Sequence, residues 1–68
     1  MIRFIEGIEL KDVLSGGRFV EKDDYYEAND EFFGECIVVY KKDKSIINAG
    51  FTGLISDWTK MGYLEFIK

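Results

Sequence analysis

ECIVVYKKDKSIINAGF, residues 35–51, is the stretch that decides the fold. Residues 36–40 are continuously apolar and rich in β-branched side chains, which is typical of a central strand covered on both faces. Residues 42–44 are charged and suited to a turn, and the apolar side chains within 46–51 favour a second strand. The stretch therefore predicts a β-hairpin whose first strand lies in the middle of a sheet.

Alternating side chains near both ends of the chain predict further strands. Ile2 and Phe4 alternate with charged residues, and residues 63–68 alternate in the same way. Residues 18–22 are short enough to form one more strand. We expect a single compact domain over residues 1–68, of the α+β class, with a small antiparallel sheet of four to five strands packed by one or two short helices.

Two segments carry apolar side chains at helical spacing. Residues 8–14 predict a short helix that the glycine pair 16–17 ends, since glycine readily takes the positive φ found after a helix. Residues 53–61 predict a second helix, with Thr52 as its N-terminal cap. Trp58 lies on the apolar stripe of this helix, and we interpret it as a core anchor rather than a platform for a ligand.

The small size of the chain limits its stability. A domain of 68 residues buries only roughly 60 % of the surface that its unfolded chain exposes. The chain has one cysteine and no histidine, so neither an intrachain disulfide nor a Cys/His zinc site is available. We expect a homo-oligomer, because shared subunit surface is a common remaining way to stabilise so small a core.

The location of the protein is inferred from its apolar segments and its thiol. Charges at positions 3, 6 and 9 interrupt the N-terminal segment, so we expect no signal sequence and no membrane partner. Cys36 lies in an apolar run, which favours a small core residue in a reducing compartment. We therefore expect a cytoplasmic protein, in a host cell.

Catalysis and cofactor binding find little support in the residue types. Without histidine, His-based triads and general bases are excluded. Cys36 has no basic neighbour in sequence that would activate its thiol. Adjacent acids such as Asp23 and Asp24 are more often hydrated than bound to magnesium, and Ser15-Gly16-Gly17 lacks the lysine of a phosphate loop. We expect no enzyme activity, no metal site and no cofactor.

The charge of the chain is concentrated in EKDDYYEANDEFFGE, residues 21–35. This segment holds seven acids and one lysine, a net charge of −6 in a chain of −4, so the other residues sum to +2. A chain-wide basic patch is absent, which argues against direct binding of nucleic acid. Closely spaced carboxylates mimic backbone phosphates, and rings between them anchor interfaces. The candidate partner-binding residues are Asp23, Asp24, Tyr25, Tyr26, Glu27, Asp30, Glu31, Phe32 and Phe33.

Two local structures and two roles stay open for this segment. Asp24 and Glu27 match a capping box and Gly34 is placed to end a helix, which favours a short helix. The turn-forming pair 29–30 favours instead a hairpin in which the two tyrosines lie opposite the two phenylalanines. In either structure the rings can turn into the core, leaving only a solubilising acidic face, or they can form a binding face.

The order of several segments resembles small phage proteins of the second Thoeris anti-defence family. The resemblance lies in ELKDVLSGGRFVEKD, then KKDKSIINAGF, then a short helix with SDW, then the closing YLEFIK. Phe51 stands where that family has tryptophan, and Tyr63 stands where its closing tryptophan falls. The resemblance implies an oligomeric sponge that sequesters a cyclic nucleotide signal, with Asn48, Phe51 and Asp57 near the ligand.

These observations lead to three functional hypotheses for a binding module without catalysis. The first is a phage or mobile-element inhibitor of a host defence protein, which presents an acidic aromatic face, in the manner of a DNA mimic, to a basic nucleic-acid-binding partner. The second is an oligomeric sponge for a nucleotide immune signal. The third is a structural or assembly subunit.

Overall fold

One antiparallel sheet and two helices make up the protein, and the computed structural model describes all of residues 1–68. The α+β class is confirmed, with six strands where the sequence pattern predicts four to five. The elements in chain order are β1 (Ile2–Phe4), α1 (Leu10–Val13), β2 (Val20–Glu21), β3 (Tyr25–Asp30), β4 (Glu35–Tyr40), β5 (Ser45–Ala49), α2 (Thr52–Lys60) and β6 (Leu64–Phe66).

The strands lie in the order β2-β3-β4-β5-β1-β6, and every neighbouring pair is antiparallel. The hairpin predicted from residues 35–51 is confirmed as β4 and β5, with Val38 opposite Ile47. Its turn is held by Asp43, whose Oδ1 accepts hydrogen bonds from the backbone N–H of Ser45 at 3.0 Å and from the Ser45 hydroxyl at 2.7 Å. β4 is therefore an interior strand, as predicted.

Both helices contribute to a core on one face of the sheet, which we call the inner face. Trp58 of α2 is buried there against Phe4, with ring centroids 4.9 Å apart in an edge-to-face arrangement. Its interpretation as a core anchor is confirmed. The buried apolar residues are Phe4, Leu10, Leu14, Tyr26, Ala28, Ile37, Val39, Ile46 and Trp58.

The opposite face of the sheet, which we call the outer face, has no helix over it. Since neighbouring side chains on a strand alternate, Cys36, Val38 and Tyr40 point to this face while Ile37 and Val39 point to the core. The prediction that this strand is covered on both faces is therefore wrong. The two short helices contribute their buried residues to the inner-face core, and Cys36 is a half-buried residue of the outer face, not of that core.

The segment 24–34 forms a strand and a turn, so the helix interpretation is wrong. Its hairpin pairs Tyr25 with Tyr40 and Tyr26 with Val39, not with phenylalanines. The six-residue ladder with β4 buries Tyr26 and Ala28 in the core, and a helix over this segment could not form that ladder. The turn itself lies at residues 31–34, after the 29–30 pair that predicted it.

The second helix begins without the predicted cap. Phe51, not Thr52, is the N-cap residue, and its backbone is left-handed at φ 54° and ψ 36°. Its N–H donates to Oε2 of Glu35 at 3.2 Å, so a carboxylate sixteen positions earlier serves the start of α2. The first helix is shorter than predicted, because it covers Leu10–Val13 with Leu14 as its C-cap. Gly16 and Gly17 follow at positive φ, but two and three positions after that cap, so the prediction that they end the helix is wrong.

Candidate functional site

The turn between β3 and β4 is built by Asp30 and Gly34. Oδ1 of Asp30 accepts hydrogen bonds from the backbone N–H groups of Phe32 at 3.0 Å and Phe33 at 3.3 Å. This side-chain acceptor folds the chain back sharply, and Gly34 completes the turn at φ +69°, where glycine is favoured. We call residues 30–35 the acidic aromatic tip.

The acidic aromatic tip presents two rings to solvent. The exposed fraction of Phe32 is 88 % and that of Phe33 is 71 %, the highest values among the large apolar residues of the chain. The rings stack on each other edge to face, with centroids 4.8 Å apart. A pair of adjacent exposed phenylalanines leaves apolar surface in water, which is the kind of patch that marks an interaction site.

The carboxylates of the tip lack cationic partners. Asp30, Glu31 and Glu35 take part in none of the four ion pairs of the protein. Residues 23–35 contain no lysine or arginine. The rings are therefore framed by carboxylates that no ion pair neutralises.

The other predicted acids lie at the far end of β3. Asp23 and Asp24 precede this strand, and its six residues separate them from the acidic aromatic tip by roughly 20 Å. A shallow pocket at that end contains Asp23, Asp24, Lys41 and Lys42. The structure thus divides the predicted acidic face into two ends, and two lysines accompany the acids at the end distant from the tip.

An ion pair strengthens this difference between the two ends. Nζ of Lys41 donates to Oε2 of Glu21 at 2.7 Å. The hydrogen bond from Lys41 holds the pKa of Glu21 below its usual value, and the same bond raises the pKa of Lys41. Both groups are charged near neutral pH and largely cancel each other.

The remaining predicted residues of this segment lie on opposite faces of β3. Tyr26 is 7 % exposed and belongs to the core, so it is unavailable to a partner. Tyr25 and Glu27 lie on the outer face, where Tyr25 packs edge to face against Tyr40 and Glu27 pairs with Lys22 at 3.7 Å. The structure therefore brings together only Asp30, Glu31, Phe32 and Phe33 of the predicted set.

An open cleft of about 650 Å³ lies between the acidic aromatic tip and the start of α2. Arg18 and Phe51 form part of its wall, with the guanidinium carbon 5.9 Å from the ring centroid. Glu35 spans the cleft floor, close enough to Gly50 that a Cβ there would lie 2.5 Å from Cγ of Glu35. Sequence reasoning missed Arg18 and Glu35, because both reach the cleft through long-range contacts that leave no local pattern.

The three residues implied by the Thoeris resemblance do not share one cavity. Phe51 lines the cleft, but Asn48 and Asp57 do not. Asn48 lies at the end of β5, where its Nδ2 donates to the carbonyl of Gly50 at 2.8 Å. Asp57 is exposed and lies in the second turn of α2.

The side chains form no metal-binding cluster, and the helices form no membrane-spanning segment. No group of three or more cysteine, aspartate and glutamate side chains is arranged to hold a metal ion. Neither helix combines the length and the apolar composition needed to cross a bilayer.

Comparisons with known proteins find no counterpart of this fold and tip. No protein-family model matches the chain, and no curated protein or solved structure is significantly similar to it.

Proposed function

We propose that this protein is a non-catalytic inhibitor, of phage or mobile-element type, that binds a basic nucleic-acid-binding host protein through the acidic aromatic tip. The observation that carries the proposal is the pair of stacked, solvent-exposed rings of Phe32 and Phe33 framed by carboxylates without cationic partners. The partner meets this tip in the cytoplasm of the host cell.

The rings and the acids of the tip have different tasks in this proposal. The carboxylates of the half-buried Asp30 and the exposed Glu31 act mainly on the encounter, because a basic groove attracts them before contact is made. Buried aromatic anchors hold most of the energy of an interface, so Phe32 and Phe33 act mainly after contact. The acids therefore govern the association rate, and the rings govern the dissociation rate.

A kinetic experiment separates these two tasks. The tagged protein captures its partner from host lysate, and association and dissociation are then measured on the purified pair between about 50 and about 300 mM salt. D30N/E31Q should lower the association rate and flatten its salt dependence, and F32S/F33S should speed dissociation. Unchanged kinetics for both double variants would refute the proposal.

Two control variants make the experiment specific to the tip. E9Q/D12N removes the same number of negative charges at exposed positions in and beside α1, so it matches the change in net charge. D23N/D24N removes two acids at the far end of β3, where Lys41 and Lys42 are near. Both controls should change the association rate less than D30N/E31Q does.

A second candidate, the nucleotide sponge, is favoured by the cleft beside the tip. Arg18, Phe51 and the first-turn N–H groups of α2 offer a cation, a ring and backbone donors in one place. We rank it second because Asp30, Glu31 and Glu35 line the same cleft and repel phosphate. Calorimetric titration with cyclic and linear nucleotides distinguishes the two, since an inhibitor of the first kind binds none of them.

A further inference from the structure

We propose that two copies of this chain pack through their outer faces into a symmetric dimer whose two-fold axis runs parallel to the strands, between β4 and β5. The proposal concerns a surface on the opposite side of the sheet from the cleft and is independent of the acidic aromatic tip. In this dimer the outer face is covered by a second copy of the chain.

The outer face is an apolar surface without cover. Of the nine large apolar residues that are exposed, five point to this face: Met1, Val20, Tyr40, Ile47 and Ile67. Val38 and Cys36 add half-buried surface on the central strand. An apolar surface of this breadth on a chain with only ten buried residues is typical of a protein whose core is completed by association.

The residues of the outer face form three rows across the sheet, read from the strand register. The middle row sets Val20, Glu27, Val38 and Ile47 side by side, with Glu27 the one charged residue among them. The second row begins with Lys22 beside Tyr25 and ends with Arg3 beside Glu65. An ion pair thus stands at each lateral end of the sheet, Lys22 with Glu27 at one end and Arg3 with Glu65 at the other. Tyr25, Tyr40 and Ser45 lie between them in the second row.

These charges are complementary between two copies related by the proposed axis. Rotation about an axis parallel to the strands reverses the strand order of the second copy relative to the first. As a result β2 faces β6, β3 faces β1 and β4 faces β5. Lys22 of one copy then lies opposite Glu65 of the other, and Arg3 lies opposite the ring of Tyr25. Val38 lies opposite Ile47 at the centre.

The alternative two-fold axis, perpendicular to the strands, fits the charges less well. It sets the row with Lys22, Arg3 and Glu65 against the opposite end of the sheet. Each strand then faces the same strand of the other copy, and the short β1, β2 and β6 do not extend to the end where Asn29, Cys36 and Ala49 lie, so these charges gain no partner. Charges that lose water without gaining a partner oppose association.

The size of the outer face suits a dimer of moderate affinity. The six strands contain 25 residues in all, and at about 3.3 Å per residue and about 4.8 Å between strands they give each copy a projected face of roughly 400 Å². Because side chains make the surface uneven, its accessible area exceeds the projected area, and both copies together bury on the order of 1,000 Å². This area lies at the lower end of the range for specific interfaces. Face-to-face sheets pack in this aligned manner in β-sandwiches.

The oligomeric state of the full chain tests the surface. Sedimentation velocity between about 1 and about 500 µM protein should show a concentration-dependent dimer of the parent. I47S, at a side chain 61 % exposed, should weaken dimerisation by at least about tenfold without unfolding the chain. M61S, at a side chain 59 % exposed beside α2, is the matched control and should leave the dimer unchanged.

A charge exchange tests the axis. K22E and E65K should each remain monomeric, because each sets like charges against one another at both contacts between the copies. Mixing the two variants should restore dimers, since both contacts then join opposite charges. This outcome holds even if E65K loses some stability with its Arg3 pair, because the mixture is compared with each variant alone.

Three outcomes would overturn the proposal. If the parent stays monomeric over the whole concentration range, a second copy does not cover the outer face. A dimer that I47S does not weaken places the interface elsewhere on the chain. A mixture of K22E and E65K that associates no better than either variant alone refutes the axis.

Discussion

At the scale of single residues, the fold depends most on a tryptophan. Trp58 is 4 % exposed and contacts two further rings, Phe4 at 4.9 Å and Phe19 at 6.2 Å between centroids. These rings connect α2, β1 and the segment before β2, which share few other buried side chains. The loss of one side chain therefore affects three separate parts of the chain.

Trp58→Ala should cost about 3 to 5 kcal/mol of the free energy of unfolding, because a cavity remains where the ring was. A domain of this size has little more stability than that. A thermal melt should show a transition lowered to near or below room temperature. Phe66→Ala is the matched control, since that ring is 60 % exposed, and its melt should stay close to that of the parent.

At the scale of elements, two carboxylates secure the connections of β4. Asp43 holds the turn to β5, and Glu35 joins the first residue of β4 to the start of α2. The apolar run of β4 has no polar alternation, so hydrophobicity alone would tolerate a shift of one residue in its pairing. Fixed contacts at both ends of the strand specify the register instead.

Asp43 should make stability depend on pH. Hydrogen bonds from the Ser45 hydroxyl and backbone N–H hold the pKa of Asp43 below its ordinary 3.8. Because the folded-state pKa is the lower one, the stabilisation is complete above the unfolded-state value and is lost as the pH falls from about 4 through the folded-state value.

Asp43→Asn should therefore flatten the acid limb of the stability curve. Urea unfolding at a series of pH values should show the variant less stable than the parent near neutral pH and similar to it at the acid end. Asp57→Asn, at an exposed carboxylate on α2, serves as the control and should follow the curve of the parent. A constant difference between Asp43→Asn and the parent at every pH would contradict this role.

Glu35→Ala should destabilise the protein by about 1 kcal/mol, the usual cost of losing a helix cap. The substitution leaves the N–H of Phe51 without its acceptor and removes a negative charge from the positive end of α2. Glu35→Gln keeps an acceptor oxygen, so it should cost less. Urea titration measures both, and Glu31→Ala, at an exposed acid in the same turn, should have a smaller effect than either.

At the scale of the whole molecule, the sequence predicts the elements better than their arrangement. Both helices, the central hairpin and the terminal strands follow from spacing and turn residues, which are local properties. Which face of the sheet the helices cover does not follow, because the run at 36–40 is apolar on both sides. Both helices bury their side chains in one core cluster, which leaves the other face without a helix.

The residues of the candidate site also differ in whether local sequence or long-range contacts reveal them. The sequence identifies Phe32 and Phe33 as candidates, but burial separates them from Tyr26, which carries an equal local signal. Exposure depends on where the turn falls relative to the core. Glu35 and Arg18 enter the site through contacts with the α2 start, sixteen positions or more away in sequence.

The turn made by Asp30 has an entropic consequence for the two phenylalanines. Their amides are held by one carboxylate oxygen and their rings rest on each other, so both side chains are ordered before any contact. Immobilising a free side chain at an interface costs about 0.5 to 1.5 kcal/mol. A partner that receives these rings therefore binds a preorganised surface. Much of the entropy of ordering the two side chains is already lost when the four-residue turn folds.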